Sequence, residues 1–328
     1  MAAKASTPGS GAIAVVGGGS IGVAWAIVFA RSGRSVQLLE PDEERQRACM
    51  PEIRDRLDCL SATGLIEESV DAIAGRVALS DRTELALLGA VHVQECAPEN
   101  LELKRSIFAE LDALALPGTT VASSSSTIPC SAIANDLAGK DRCMVAHPGN
   151  PPYLLPIVEL VPAPFTSDVT IDRVESLMKS ARMSPVRVHS EIEGFVFNRL
   201  QGALLREAYC LVRDQIITPR DLDKVVTAGL GRRWSVIGPF ATTELNTRGG
   251  ISTHAQRLGP AYARMGAERG QDDPWTESLV SRVAADIHTE LPPELWESHV
   301  RRRDQALMAL ERARRETTPI MHDLELPD

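Results

Sequence analysis

The chain has no Cys-x-x-Cys pair, no histidine–cysteine cluster at metal-ligand spacing, and no apolar run close to the length of a bilayer. Its six cysteines, Cys49, Cys59, Cys96, Cys130, Cys143 and Cys210, stand singly, several inside apolar runs, as reduced and buried thiols do. This pattern argues against a disulfide framework and a metal site, and it predicts a cytoplasmic protein. A spanning helix needs ~20 mostly apolar residues, and the sequence offers none. Basic excess is missing too: 35 Lys and Arg face 44 Asp and Glu, a net charge of -9. That balance argues against nucleic acid, which demands clustered cations. The one dense basic stretch, Arg301, Arg302, Arg303, Arg312, Arg314 and Arg315, alternates with acids and reads as a solvated helix face. Residues 1–11 are small and polar with no apolar stretch behind them, and they read as a flexible tail rather than a signal peptide. No internal repeat is visible.

What is present is an ordinary globular composition, 44% hydrophobic and 24% charged, over 328 residues, enough for two domains. The organising stretch is Ala12-Ile-Ala-Val-Val-Gly-Gly-Gly-Ser-Ile-Gly22, a short apolar run that meets a glycine cluster and then a helical apolar pattern. The spacing is Gly17-x-Gly19-x-x-Gly22. Gly17 permits a sharp turn, Gly19 lets backbone approach a pyrophosphate, and Gly22 lets the helix pack against the strand. Phosphate charge would then rest on the helix N-terminus, which makes Gly17, Gly19, Ser20, Ile21 and Gly22 the candidate cofactor turn. A second apolar run, Val36–Leu39, ends at Glu40, 18 residues past the last glycine, where a carboxylate can accept from both ribose hydroxyls. Such an acid repels a 2′-phosphate, so the predicted cofactor is NAD rather than NADP.

Strand-like runs and helical patterns then alternate. Mixed-charge residues 41–72, with Met50, Ile53, Leu57 and Leu60 at helical spacing, predict one or two amphipathic helices. Val77–Leu79, Ala90–Cys96, Thr119–Ala122 and Cys143–Ala146 read as strands, with helices over 101–114 and 129–137 between them. Val158–Val161 and Val186–His189 flank a helix over 167–181 and complete the first domain. The alternation predicts an α/β, Rossmann-type doubly wound parallel sheet with helices on both faces, over residues 12–192. From residue 193 onward the pattern is helical only, over 194–213, 219–228, 239–246, 275–289 and 293–315. Residues 193–328 therefore read as a smaller all-α domain for substrate and dimerisation. Its first helix is apolar enough (Phe195, Val196, Leu200, Leu204, Leu205) to be buried in that domain or across a dimer interface.

In doubly wound sheets ligands bind at the carboxyl ends of strands, and Glu99, Ser123–Ser126 and His147 hold such positions. His147 follows an apolar strand and enters Pro-Gly-Asn150-Pro-Pro. A histidine there suits general base catalysis on a hydroxyl, or serves as a hydrogen-bonded structural residue. Glu159 lies inside an apolar run, where a buried carboxylate needs a partner; it either aims the imidazole or faces water from an edge strand. The serines either cap the helix that follows or face nicotinamide and substrate. Asn198 either donates to a substrate oxygen or is solvated.

Taken together, Gly17–Gly22, Glu99-Asn100 with Lys104, the serine run, His147-Pro-x-Asn150-Pro-Pro, Val158-Glu159 and Gly194-Phe-x-x-Asn198-Arg199 resemble the 3-hydroxyacyl-CoA dehydrogenase superfamily. Ala146–Tyr153, Pro156–Pro162, Gly229-Leu-Gly-Arg-Arg-Trp234 and Leu245-Asn246 are most similar to its lambda-crystallin and L-gulonate 3-dehydrogenase subgroup. The resemblance implies that His147 is the general base and Glu159 its orienting partner, with Ser126 and Asn198 donating to the reacting oxygen. It places Glu99, Lys104 and Ser124 at the nicotinamide end and Glu40 at the adenosine ribose. Two departures stand out: Glu40 replaces the aspartate of many relatives, and the serine run lacks the usual threonine before its reactive serine. Choosing Ser126 over Ser125 rests on its distance from His147.

The function predicted is NAD-dependent oxidation of the 3-hydroxyl of a small hydroxy acid such as L-gulonate, by a homodimer. Asn150 and Arg233 are candidate substrate contacts, Arg233 as a bidentate partner of the carboxylate; Arg232 and Arg233 equally suit a helix C-terminus. The rival activities are short-chain 3-hydroxyacyl-CoA and carnitine oxidation. A rival of another class is a crystallin-like NAD-binding structural protein without turnover.

Overall fold

The structure is a computed structural model that describes residues 11–235, 238–248, 250–269, 276, 278–279, 281, 285, 289, 292–295, 298, 301–302 and 304–313. Among them no helix is long and apolar enough to cross a membrane. The helix predicted over 275–289 falls largely outside the described residues, as does the tail 1–10.

The first unit begins with β1 (Ala12–Val16), whose Ile13, Ala14 and Val15 are fully buried, as a run with no polar alternation requires in a sheet covered on both faces. After the glycine turn comes α1 (Ser20–Arg31), buried from Gly22 to Ala30. A helix apolar on every side lies inside a core, and Trp25 and Phe29 of α1 stack there at 5.2 Å. β2 (Val36–Leu39) leads to the amphipathic α2 (Glu43–Ala62), which Asp42 caps by accepting from the Arg45 N–H and which buries Cys49, Ile53, Leu57 and Leu60. Then follow α3 (Val70–Ala74), β3 (Val77–Ser80), α4 (Thr83–Ala86) and β4 (Ala90–Glu95). The chain continues through α5 (Leu101–Leu114), β5 (Thr120–Ser123), α6 (Cys130–Ala134), β6 (Cys143–Pro148), β7 (Ile157–Pro162), α7 (Asp168–Ser180) and β8 (Ser184–Arg187).

The eight strands form one sheet in the order β3-β2-β1-β4-β5-β6-β7-β8. Strand order reverses between β1 and β4, where the helices that follow diverge and open a crevice at the strands' carboxyl ends. The sheet is parallel from β3 to β6, but β7 pairs antiparallel to β6, and β8 runs with β7. That corrects the all-parallel expectation. The segment joining β6 to β7 contains no crossover helix, so the chain turns straight back, as an antiparallel pair allows.

Contacts divide the chain into two compact units; the first holds the described residues up to Arg199 together with 304–313. Met308 of that late helical segment is buried in the first unit's core, with Leu307 packed against it. The second unit starts within α8 (Phe197–Arg213) and contains α9 (Pro219–Val225), a π-helical turn at Val226–Leu230, α10 (Gly231–Trp234), α11 (Pro239–Asn246) and α12 (Gly250–Ala267). Helix α12 does not stand out in the sequence, because Gly259-Pro260 interrupts its pattern. On α8, Leu200 is 65% exposed, and Leu204 and Leu205 are exposed to 38% and 36%.

Candidate active site

The glycine turn has the geometry its spacing predicts. Gly17 takes a φ of +100°, a left-handed conformation that disfavours any side chain. A Cβ on Gly22 would stand 1.8 Å from the Gly17 carbonyl oxygen, so the helix can approach only as glycine. At Gly19 a Cβ would meet nothing within 4 Å, and α1 has no side-chain cap. The free N–H groups of its first turn therefore open onto space, which is what a pyrophosphate needs. Beside them lies a cleft of about 830 Å³ lined by Gly17, Gly19, Ser20, Ile21, Glu40 and Cys96 among others. Glu40 stands at its wall, with Oε2 accepting from Gly18 N at 2.7 Å and Oε1 from Asp42 N at 3.0 Å. A carboxylate has about four acceptor sites, so capacity remains for two ribose hydroxyls. The turn, the cleft and the acid all fit NAD.

At the ends of β4 and β5 a second acid gathers the serine loop. Glu99 Oε1 accepts from Ser125 Oγ (2.7 Å), Ser126 N (3.0 Å), Thr127 N (2.9 Å) and Thr127 Oγ1 (3.0 Å). Burial raises its pKa, but the bonds from Ser125 and Thr127 and the nearby Lys104 charge outweigh this, and the net displacement is downward. The four serines have four different tasks. Ser123 donates to Glu95, Ser124 Oγ accepts from Trp25 Nε1 and Gln94 Nε2, Ser125 is buried against Glu99, and Ser126 is exposed. Lys104 is 1% exposed, bonded to both oxygens of Glu95 and to the Ala97 carbonyl, with Glu99 Oε2 at 3.8 Å. It thus supports the loop from beneath rather than facing the cleft. Glu95, fully buried, is the group that sequence reading misses; a lone acid closing an apolar strand, followed by a lysine on the next helix, is its signal.

His147 and Glu159 are brought together by the antiparallel pairing of β6 and β7, in which they are directly opposed. Opposed residues point to the same face, and here His147 Nδ1 lies 2.8 Å from Glu159 Oε2, with both side chains buried. Glu159 Oε1 accepts from Val196 N (2.8 Å) and Phe197 N (2.9 Å). Those two N–H groups are aimed by a left-handed pair, Gly194 at φ +74° and Phe195 at φ +50°. A phenylalanine there is strained, and its complete burial 5.6 Å from the imidazole offsets that strain. Burial pushes the Glu159 pKa up, but the His147 bond and the two backbone donors pull harder, so it lies below the ordinary carboxylate value. The acid stays ionised, Nδ1 carries the proton, and Nε2 makes no hydrogen bond among the described residues. Asn198 Nδ2 donates to the Ser126 carbonyl at 3.1 Å, tying the start of α8 to the serine loop. Asn150 is exposed after β6, while Arg233 is exposed in the second unit, on α10. Among the described residues, no three His, Cys, Asp or Glu side chains converge to hold a metal ion.

Residues 12–192 match the family of the 3-hydroxyacyl-CoA dehydrogenase NAD-binding domain, and residues 194–285 that of its C-terminal domain. Over 93% of this chain and 97% of the relative, the sequence is 40% identical to the lambda-crystallin homolog of Mus musculus. It is 35% identical to the L-carnitine dehydrogenase of Streptomyces coelicolor, over 90% of this chain and 86% of the relative. A solved structure, that of the NAD+-dependent 5-formyl-3-hydroxy-2-methylpyridine 4-carboxylic acid 5-dehydrogenase, superposes with a TM-score of 0.79 at 27% identity. It covers 92% of this chain and 97% of that one. With the glycine turn, the acid at its wall and both family domains in place, this chain is an NAD-dependent oxidoreductase that belongs to the 3-hydroxyacyl-CoA dehydrogenase superfamily, close to the lambda-crystallins.

Proposed function

We propose that the chain oxidises the 3-hydroxyl of a small hydroxy acid resembling L-gulonate, with His147 as general base. The observation that carries this reading is the imidazole held at Nδ1 by an ionised, doubly anchored Glu159, with no partner for its Nε2 among the described residues. NAD, when bound, accepts the hydride. Nε2 takes the hydroxyl proton, and the Glu159 carboxylate stabilises the imidazolium that results. Ser126 and Asn198, linked through the Ser126 carbonyl, are the proposed donors to the reacting oxygen. Glu99 holds the serine loop at the proposed nicotinamide end, with Ser124 and Lys104 bracing that loop. Asn150 and Arg233 are the proposed contacts of the substrate's polar end, Arg233 through a bidentate bond to a carboxylate.

The similarity to lambda-crystallins supports a gulonate-like substrate, while the similarity to a carnitine dehydrogenase makes carnitine the rival. NADH formation with L-gulonate, 3-hydroxybutyrate, 3-hydroxybutyryl-CoA and carnitine decides between them. We expect the highest kcat/KM with L-gulonate; turnover confined to the CoA ester or to carnitine overturns the substrate, and no turnover with any leaves a nucleotide-binding protein.

The open apolar face of α8 supports a homodimer formed through the helical domain. Leu200→Glu should shift the protein to monomer in light scattering; an unaltered mass removes α8 from the interface.

A further inference from the structure

Helix α2 carries three charged residues on one face, Arg45, Glu52 and Arg56, separated by seven and four positions. Glu52 is shared: its Oε2 pairs with Arg45 and its Oε1 with Arg56. Each guanidinium then reaches over to the glycine turn. Arg45 Nε donates to the Gly18 carbonyl at 2.6 Å, and Arg56 Nη1 donates to the Ser20 carbonyl at 3.1 Å. Arg56 Nη2 also donates to Ser20 Oγ at 3.0 Å, and its guanidinium lies 5.8 Å over the Tyr153 ring. The side chains of all three are half-buried, at 32%, 27% and 18% exposure for Arg45, Glu52 and Arg56.

The two carbonyls belong to particular peptide units. The Gly18 carbonyl shares its peptide with the Gly19 N–H, and the Ser20 carbonyl with the Ile21 N–H, and both N–H groups belong to the turn that opens onto the cleft. A cation bonded to a carbonyl polarises the N–H at the other end of the same peptide and fixes its direction. The group as a whole carries one net positive charge. We propose that Arg45, Glu52 and Arg56 form a charged brace that positions and polarises the Gly19 and Ile21 peptides for the diphosphate of NAD. Grip on the diphosphate is then set by α2 as well as by the N-terminus of α1, and Arg45, Glu52 and Arg56 are positioning residues of the cofactor site. Nothing in this depends on which hydroxy acid is oxidised.

Titration calorimetry on the full chain with NAD, ADP-ribose and adenosine tests it, because adenosine keeps the base and ribose but has no phosphate. Arg45→Gln and Arg56→Gln should each weaken NAD and ADP-ribose by about tenfold, the loss of a charge-assisted bond, and leave adenosine unchanged. Glu52→Gln should also weaken both, although it adds net positive charge, because the guanidiniums lose the anchor that aims them. Tighter ADP-ribose binding in Glu52→Gln would mean that bare charge acts and would overturn the positioning role. Equal losses for adenosine would make the brace a purely structural contact, and unchanged affinities in all three variants would remove it. Arg45→Lys and Arg56→Lys, which keep the charge but cannot span two acceptors, should show the same pattern in smaller measure and serve if a glutamine variant melts early.

Discussion

The cofactor turn and the proposed catalytic pair are built in opposite ways. The turn is local: β1, three glycines, α1 and the acid at the end of β2 lie within one βαβ unit, each with its own steric or electrostatic task. The pair is assembled from separate pieces, with His147 on β6, Glu159 on β7, and the Val196 and Phe197 N–H groups supplied by the left-handed turn at Gly194-Phe195. Both rely on one device, a carboxylate caught by backbone N–H groups, seen in Glu40 with Gly18 and in Glu159 with Val196. The difference lies in what the remaining acceptor capacity serves. Glu40 keeps it open at the wall of the cleft, whereas Glu159 spends it on an imidazole. Binding and chemistry should therefore be separable by mutation.

The sharpest separation comes from His147→Gln. We expect kcat to fall by roughly 10²- to 10⁴-fold, the usual worth of a general base, with NAD affinity unchanged by calorimetry. A variant that keeps most of its turnover would break the contrast. Glu159→Gln keeps the shape but loses the charge that aims and stabilises the imidazolium, so kcat should drop about 10- to 100-fold with NAD binding intact. At the other end, Glu40→Ala should weaken NAD about tenfold and relax discrimination against NADP, with kcat at saturating cofactor little changed. An unchanged ratio of NAD to NADP affinities would take the ribose contact away from Glu40. The smallest effect concerns pH. Because the folded-state pKa of Glu159 lies below the ordinary value of 4.5, its contribution to stability is complete above that value. It is lost as pH falls through the lower, folded value. Thermal melts on the acid side should flatten in Glu159→Gln relative to the parent chain, and parallel curves would mean that the acid is not held as described.

How much of this is legible in the sequence follows from the same contrast. The glycine spacing and Glu40 can be read directly, because their constraints act over a short stretch of chain. His147 and Glu159 can be named individually, but their meeting depends on β7 running antiparallel, and apolar runs do not encode strand direction. The serine run resists reading for a different reason. Four identical side chains are sorted only by tertiary partners, Ser123 by Glu95, Ser124 by Trp25 and Gln94, Ser125 by Glu99, and Ser126 by its exposure. Likewise, Lys104 carries a visible charge, but its burial against Glu95 appears only once α5 packs on β4. The open face of α8 shows the converse: periodicity marks its apolar residues and leaves unsaid what covers them.

The direct opposition of His147 and Glu159 has one more consequence. Register between β6 and β7 is held by the buried residues of the strands themselves, Val145 and Ala146 against Val161 and Leu160. The segment that connects the two strands is itself packed, with Tyr153 and Leu154 buried in the core and Asn150 as its exposed residue. A change at Asn150 should therefore disturb neither that buried segment nor the alignment of His147 with Glu159, so the rim can be altered one residue at a time while the pair stays as it is.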